Sequence, residues 1–387
     1  MDKALRRRAV LLSMLAFALH PLSFGAWLSF IPFVKEQLGL NKAELSVALL
    51  GMPIAVIPAL QIASRVIGRV GPRRVMAVFF PIFTVSSLFP LLATGQASLF
   101  GALFVFGISM AFLQVCLNVY AGRLEKQLGA LVMNRCHGFW ALGLMAGPIL
   151  AAALSGFTPL IVVALIAGSS GVVATITALS LPKLEGSEGQ PSPTRRSPAS
   201  LPFALFMISF LALFVAMTEG AMSDWAAVYL AERLPEGSRA AGLGVSIFAG
   251  MLALGRLSGD WLKARLGAVQ LARLTLGLAL AGLACLVLPL PVGMAFVGFG
   301  LVGAGASVGF PLAVSAVAAL DDKYEAPNIA IMSSISLAGF LIGPPTIGFL
   351  AEAFSLRVGL AALIPGLLVG LWLCQWLESS NRVKKAE

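Results

Sequence analysis

Residues 182–201 read PKLEGSEGQPSPTRRSPASL, the one long polar segment in a chain of 387 residues. Its proline, serine and charged residues cannot bury enough apolar surface to fold, so it reads as a flexible linker. Working outward from it, six apolar stretches lie on each side, of roughly the 20 residues needed to cross hydrocarbon. They fall at 9–33, 44–68, 74–94, 97–122, 132–155 and 158–181, then at 202–230, 240–262, 270–289, 292–319, 328–352 and 356–377. Helices are expected because lipid offers no partner for an open strand edge. The runs are also too continuous for the alternating pattern of an outer-membrane barrel. The expectation is an all-α membrane protein of twelve transmembrane helices in two pseudo-symmetric bundles. Residues 1–181 form an N-terminal six-helix bundle, 182–201 a cytoplasmic linker and 202–387 a C-terminal six-helix bundle.

Composition agrees with a hydrocarbon solvent. Apolar residues make up 59% of the chain and charged ones 11%, with a mean hydropathy of +0.94. A soluble domain carries about 25% charged residues, so this chain could not cover a water-facing surface. The net charge of +10 sits in short caps between apolar runs, with no aromatic-interleaved basic surface, which argues against nucleic acid as a partner. Cys116, Cys136, Cys285 and Cys374 are scattered singly, so neither a metal site nor a disulfide framework is indicated. Arg6, Arg7 and Arg8 precede an apolar run that continues to about Phe33, too long for a signal core, and this segment reads as an uncleaved first helix.

The basic residues orient the chain. Of the 27 Lys and Arg, Lys35, Lys42, Arg233, Arg239 and Arg357 fall on one side of the membrane and all others on the side of the N-terminus. Positive residues stay cytoplasmic, which places both termini and the linker inside. The expected location is a cytoplasmic membrane.

The two halves repeat. Gly143 and Gly147-Pro148 recur 196 residues on as Gly339 and Gly343-Pro344, and Gly71 recurs at the same offset as Gly267. Gly25-Ala26 and Gly220-Ala221 match at 195. Parallel repeats are a known plan for transporters. Glycines four apart share a helix face and let two backbones approach closely.

Charged residues inside a span are costly and face a cavity or a partner. Glu219 and Asp224 lie in the seventh span, about 140° apart on a regular helix, so they face one cavity only if Gly220 breaks it. A deep carboxylate suits proton coupling; the bland alternative is an interhelical hydrogen bond. His20 shares a stripe with Ser23 and Trp27, next to Pro21, and is either a solute contact or a satisfied interhelical donor. Gln114 and Asn118, four apart on a small-residue face, could hold solute hydroxyls or join helices. His137 and Trp140 open the fifth span, where the repeat has Ser333 and Ser336. Arg256 and Asp260 form an i, i+4 pair suited to a gate or a structural contact. Signatures for nucleotide hydrolysis, zinc proteolysis and serine hydrolysis are missing from the sequence, so transport is expected without an enzyme activity, cofactor or metal, and hence secondary or facilitated.

The loop Ser64-Arg65-Val66-Ile67-Gly68-Arg69-Val70-Gly71-Pro72-Arg73-Arg74 resembles the G-x-x-x-D-R-x-G-R-R signature of the major facilitator superfamily, with Ser64 for the first glycine, Gly68 for the acid and Pro72 displacing the basic pair. The resemblance covers nearly the whole chain and implies a gating role for Arg69 and Arg73. Three stretches resemble the fucose-permease-like branch, including its uncharacterised bacterial inner-membrane members. They are His137-Gly138-Phe139-Trp140-Ala141-Leu142-Gly143, Glu219-Gly220-Ala221-Met222-Ser223-Asp224-Trp225 and Gly303-Ala304-Gly305-Ala306-Ser307-Val308-Gly309-Phe310-Pro311. The branch implies proton-coupled symport of a sugar-like solute, and the expectation is alternating access by a monomer in the lipid bilayer. The expected solute contacts are His20, Trp27, Gln114, Asn118, Trp140, Trp225, Ser307 and Ser336, with Glu219 the favoured proton carrier and Asp224 and His137 the other coupling candidates. Where relatives carry a glutamate this chain has Gln114, which cannot titrate. The alternative is an efflux carrier, a proton antiporter for amphipathic compounds, with the same architecture and a more apolar cavity.

Overall fold

The computed structural model describes residues 3–128, 132–184, 201–235, 238, 240–321 and 324–378. Every regular element among them is helical. The first six spans are α1 (Lys3–Gln37), α2 (Lys42–Leu49) continued by α3 (Gly51–Val70), α4 (Pro72–Ser86), α5 (Gln96–Leu128), α6 (Met133–Ala153) and α7 (Pro159–Ser180). The second six are α8 (Phe203–Ala231), α9 (Leu243–Leu266), α10 (Ala268–Val287), α11 (Val292–Ala306) continued by α12 (Gly309–Ala318), α13 (Glu325–Ala353) and α14 (Leu356–Ala361) continued by α15 (Leu363–Leu373). The twelve spans match those read from hydropathy. Eleven are long and apolar enough to cross a membrane. The twelfth, α9, is 24 residues long but carries Arg256, Asp260, Lys263 and Arg265. The linker, apart from 182–184 and 201, lies outside the described residues.

Three spans are built from two helices, and each interruption has a local cause. The second piece begins with a proline at its third residue: Pro53 in α3, Pro311 in α12 and Pro365 in α15. Proline has no N–H to give to the preceding turn and is tolerated in the first turn of a new helix. At the start of α2, Asn41 accepts from the Glu44 amide at 2.8 Å while the Glu44 carboxylate accepts from the Asn41 amide at 2.9 Å, a reciprocal cap. Glu125, near the end of α5, accepts from the Val132 and Met133 amides at 2.6 and 2.9 Å and so satisfies donors at the start of α6.

The described residues form two compact units. One holds those up to 184 together with Asp224–Ala253; the other holds 201–223 and those from Leu254 onward. Thus α8 and α9 each contribute a segment to both.

The repeated glycines organise both units in the same way. In the first, a Cβ on Gly143 would collide with the Ala18 carbonyl oxygen of α1, and one on Gly147 would lie 2.6 Å from the Ala26 nitrogen. In the second, a Cβ on Gly339 would lie 2.6 Å from the Leu213 carbonyl oxygen and 2.8 Å from the Met217 nitrogen of α8. Gly71 and Gly267 repeat too. Each ends one helix and starts the next at φ +89° and +76°, and each donates its amide to a carbonyl four residues back at 2.9 Å. That backbone region is open to glycine and strained for other residues.

Large apolar side chains lie exposed along the spans: Leu179 and Phe203 are each 62% exposed and Ile176 58%. Exposed hydroxyls turn back on their own helices, as Ser64 does to the Leu60 carbonyl and Thr346 to that of Ile342. In lipid no other partner is available to them.

The Gly143 contact is backbone against backbone and cannot be relieved by a rotamer change. Gly143→Ala should destabilise the protein by about 1–3 kcal/mol, read as a lower melting temperature in detergent. Gly168→Ala, whose Cβ would meet nothing within 4 Å, should leave it unchanged.

Candidate functional site

In the second unit the polar centre is an ion pair midway along two spans. Arg256 of α9 donates from Nη2 to both Glu219 carboxylate oxygens of α8, at 3.1 and 3.0 Å. The side chains are only 12% and 15% exposed. Their approach is arranged by the neighbours. Gly220 lies against the Phe340 ring of α13, and Gly255 lies under Ser307, whose hydroxyl donates to the Ala304 carbonyl at 2.7 Å. Ser336, buried in α13, donates to the Ala212 carbonyl at 3.2 Å and so joins α13 to α8. Asp260 is exposed one turn beyond Arg256.

α8 is unbroken at Gly220. Asp224 therefore points away from Glu219, and by its contacts it groups with the first unit while Glu219 groups with the second. Asp224 makes no hydrogen bond or ion pair with any described residue.

In the first unit several buried polar atoms have no hydrogen-bond partner among the described residues: both ring nitrogens of His20, Asn118 Oδ1 and Trp225 Nε1. His20 is 1% exposed and rests on the Phe83 ring, with centroids 5.0 Å apart. Trp27 is likewise buried, while Gln114 is exposed and Trp140 half-buried. His137 meets the Phe17 ring edge-on at 5.4 Å. Arg69 is exposed, and Arg73 donates from Nη2 to the Leu179 carbonyl at 2.8 Å, tying the start of α4 to the end of α7.

The structure also reveals polar contacts that sequence reading did not find, all within the first unit. Lys42, at the start of α2, pairs with Glu232, just beyond α8, at 2.9 Å. Ser246 of α9 donates to the Met145 carbonyl of α6 at 2.9 Å. A Cβ on Gly242 would lie 2.6 Å from that of Ser29 in α1. The partners are 100 or more residues apart, and no local spacing marks them.

Residues 13–321 match the Major Facilitator Superfamily. The chain belongs to that superfamily. It is 31% identical over 359 residues to an uncharacterised MFS-type transporter of Yersinia pestis, covering 90% of this chain and 91% of the relative. It is also 31% identical over 360 residues to an uncharacterised transporter of Sinorhizobium fredii, covering 92% and 94%. The fold is similar to that of the nucleoside transporter NupG, with a TM-score of 0.68, 14% identity and coverage of 98% and 99%. As a superfamily member the protein is a multi-pass secondary transporter of a small molecule and not an enzyme.

Removing one member of a buried ion pair strands the other, at a cost of about 3–5 kcal/mol, whereas replacing both can be close to neutral. Arg256→Gln should therefore lower the melting temperature in detergent sharply, and adding Glu219→Gln to it should restore most of the loss.

Proposed function

We propose that this superfamily member is a proton-coupled symporter of a small, sugar-like polar solute. It works by alternating access, as a monomer in the bacterial cytoplasmic membrane, with both termini inside. The observation that carries the coupling is the Glu219–Arg256 pair. Guanidinium keeps its proton under all conditions met by a protein. Of the two partners, only Glu219 can gain and lose one during a cycle. Its carboxylate accepts from Arg256 alone among the described residues, so proton uptake there releases its charged contact with α9. Gln114, unable to titrate, leaves the coupling to another group. Asp224 and His137 are the secondary candidates.

For the solute we assign His20, Trp27, Gln114, Asn118, Trp140, Trp225, Ser307 and Ser336. The unpartnered buried atoms of His20, Asn118 and Trp225 support the assignment, because a buried polar group without a partner is costly unless something completes it. Arg69, Arg73, Arg256 and Asp260 we assign to gating, Arg256 through its release from Glu219. The sugar-like character rests on the resemblance of three sequence stretches to the fucose-permease-like branch, and the cytoplasmic position of the termini on the distribution of Lys and Arg.

The test uses purified protein in liposomes with a pH-sensitive dye inside. A solute added outside from a mixed panel of sugars, polyols and sugar acids should acidify the lumen, and Glu219→Gln should abolish the acidification. Solute entry with no pH change, equal in wild type and variant, would make the protein a facilitator and overturn the reading. Alkalinisation would mark antiport, the behaviour of an efflux carrier.

A further inference from the structure

Arg256 uses one of its three nitrogens. Both bonds to Glu219 leave from Nη2, while Nε and Nη1 donate to no described residue. Guanidinium carries five N–H donors in a planar fork matched to carboxylates. A permanently charged fork midway through a span, partly accessible and with donors to spare, has the chemistry of an anion site. From it we infer that the transported solute carries one carboxylate, which binds the Arg256 fork as Glu219 takes up the coupling proton.

The inference rests on the symport reading above and deepens it, and charge conservation supplies the argument. With no solute bound, Arg256 and ionised Glu219 sum to zero. With a monocarboxylate on Arg256 and a proton on Glu219, the sum is again zero. The two half-loaded forms are not balanced. Proton without solute leaves an unpaired cation, and solute without proton leaves two carboxylates against one guanidinium. An unpaired charge in the membrane interior is costly, so the half-loaded forms are the ones that do not change access. Coupling at one proton per carboxylate follows from the site's own electrostatics. A neutral sugar cannot complete the balance, since protonation of Glu219 would leave Arg256 without an anion.

Surrounding groups leave this balance undisturbed. Of the elements packed against this part of α8 and α9, α11, α12 and α15 carry no titratable side chain, and α13 carries Glu325 and Glu352, at its two ends. On the two helices themselves the other titratable groups are Asp224 and Tyr229, which group with the first unit, and Asp260, Lys263 and Arg265 in the last two turns of α9.

The experiment compares acids with their neutral counterparts in the same dye-loaded liposomes. Glycerate, gluconate and glucuronate are set against glycerol and glucose, with a potassium diffusion potential imposed in either direction. Protein-free liposomes correct for leakage of the free acids. The expected result is lumenal acidification by at least one acid, at a rate that does not change with the sign of the potential, and none by the neutral compounds. Glu219→Gln should lose this net uptake while still exchanging labelled acid for unlabelled acid, because glutamine holds the loaded charge balance permanently. Arg256→Gln, and the double variant that keeps the pair neutral, should lose the exchange as well. Acidification by a neutral compound, accelerated by a negative interior, would overturn the anion inference and leave proton symport standing. Absence of acidification with every compound would overturn both.

Discussion

Hydrocarbon gives a polar group nothing to bond with, and the architecture follows from that single deficiency. Each backbone must satisfy its own donors and acceptors, so every described span is helical. The same rule sends the hydroxyls of Ser64 and Thr346 back to carbonyls one turn earlier. It also removes the usual reason for helices to associate, since a leucine gains little by leaving lipid for another helix. Close backbone contact has to replace hydrophobic burial, and glycine is what permits it. Gly143 and Gly147 seat α6 on α1, and Gly339 and Gly343 seat α13 on α8.

Against that background the Glu219–Arg256 pair is the costly feature. Two charges are held midway along their spans at 12% and 15% exposure, where an apolar pair would pack at no electrostatic penalty. On the proposed reading the pair has a use that structural glue would not require: a proton taken up by Glu219 would end its bonding to Arg256, whose own charge is permanent. In the inference drawn above, the spare donors of Arg256 then receive the solute carboxylate.

Much of this was legible beforehand because its causes are local. Span positions follow from runs of apolar residues, and the structure matches all twelve. Gly71 and Gly267 repeat in sequence because each must take a left-handed turn between two helices. Other features stayed hidden for equally physical reasons. Arg256 reads naturally as the i, i+4 neighbour of Asp260, but its carboxylate ligand is 37 residues away on α8. Lys42 and Glu232 sit in unremarkable polar ends, and only the folded chain places them 2.9 Å apart. α8 runs unbroken through Gly220, which lies against the Phe340 ring of α13, a neighbour that no spacing along α8 announces.

Sequence alone therefore determined the solvent, the number of crossings, the repeat and the residue types able to carry chemistry, since each depends on composition or on spacing along one helix. Tertiary structure decided which charges pair, which buried polar atoms lack partners and which segments of α8 and α9 join each compact unit. Those outcomes depend on distances between helices, and in a membrane such distances are set by backbone contacts at glycines whose partners lie far away in the chain.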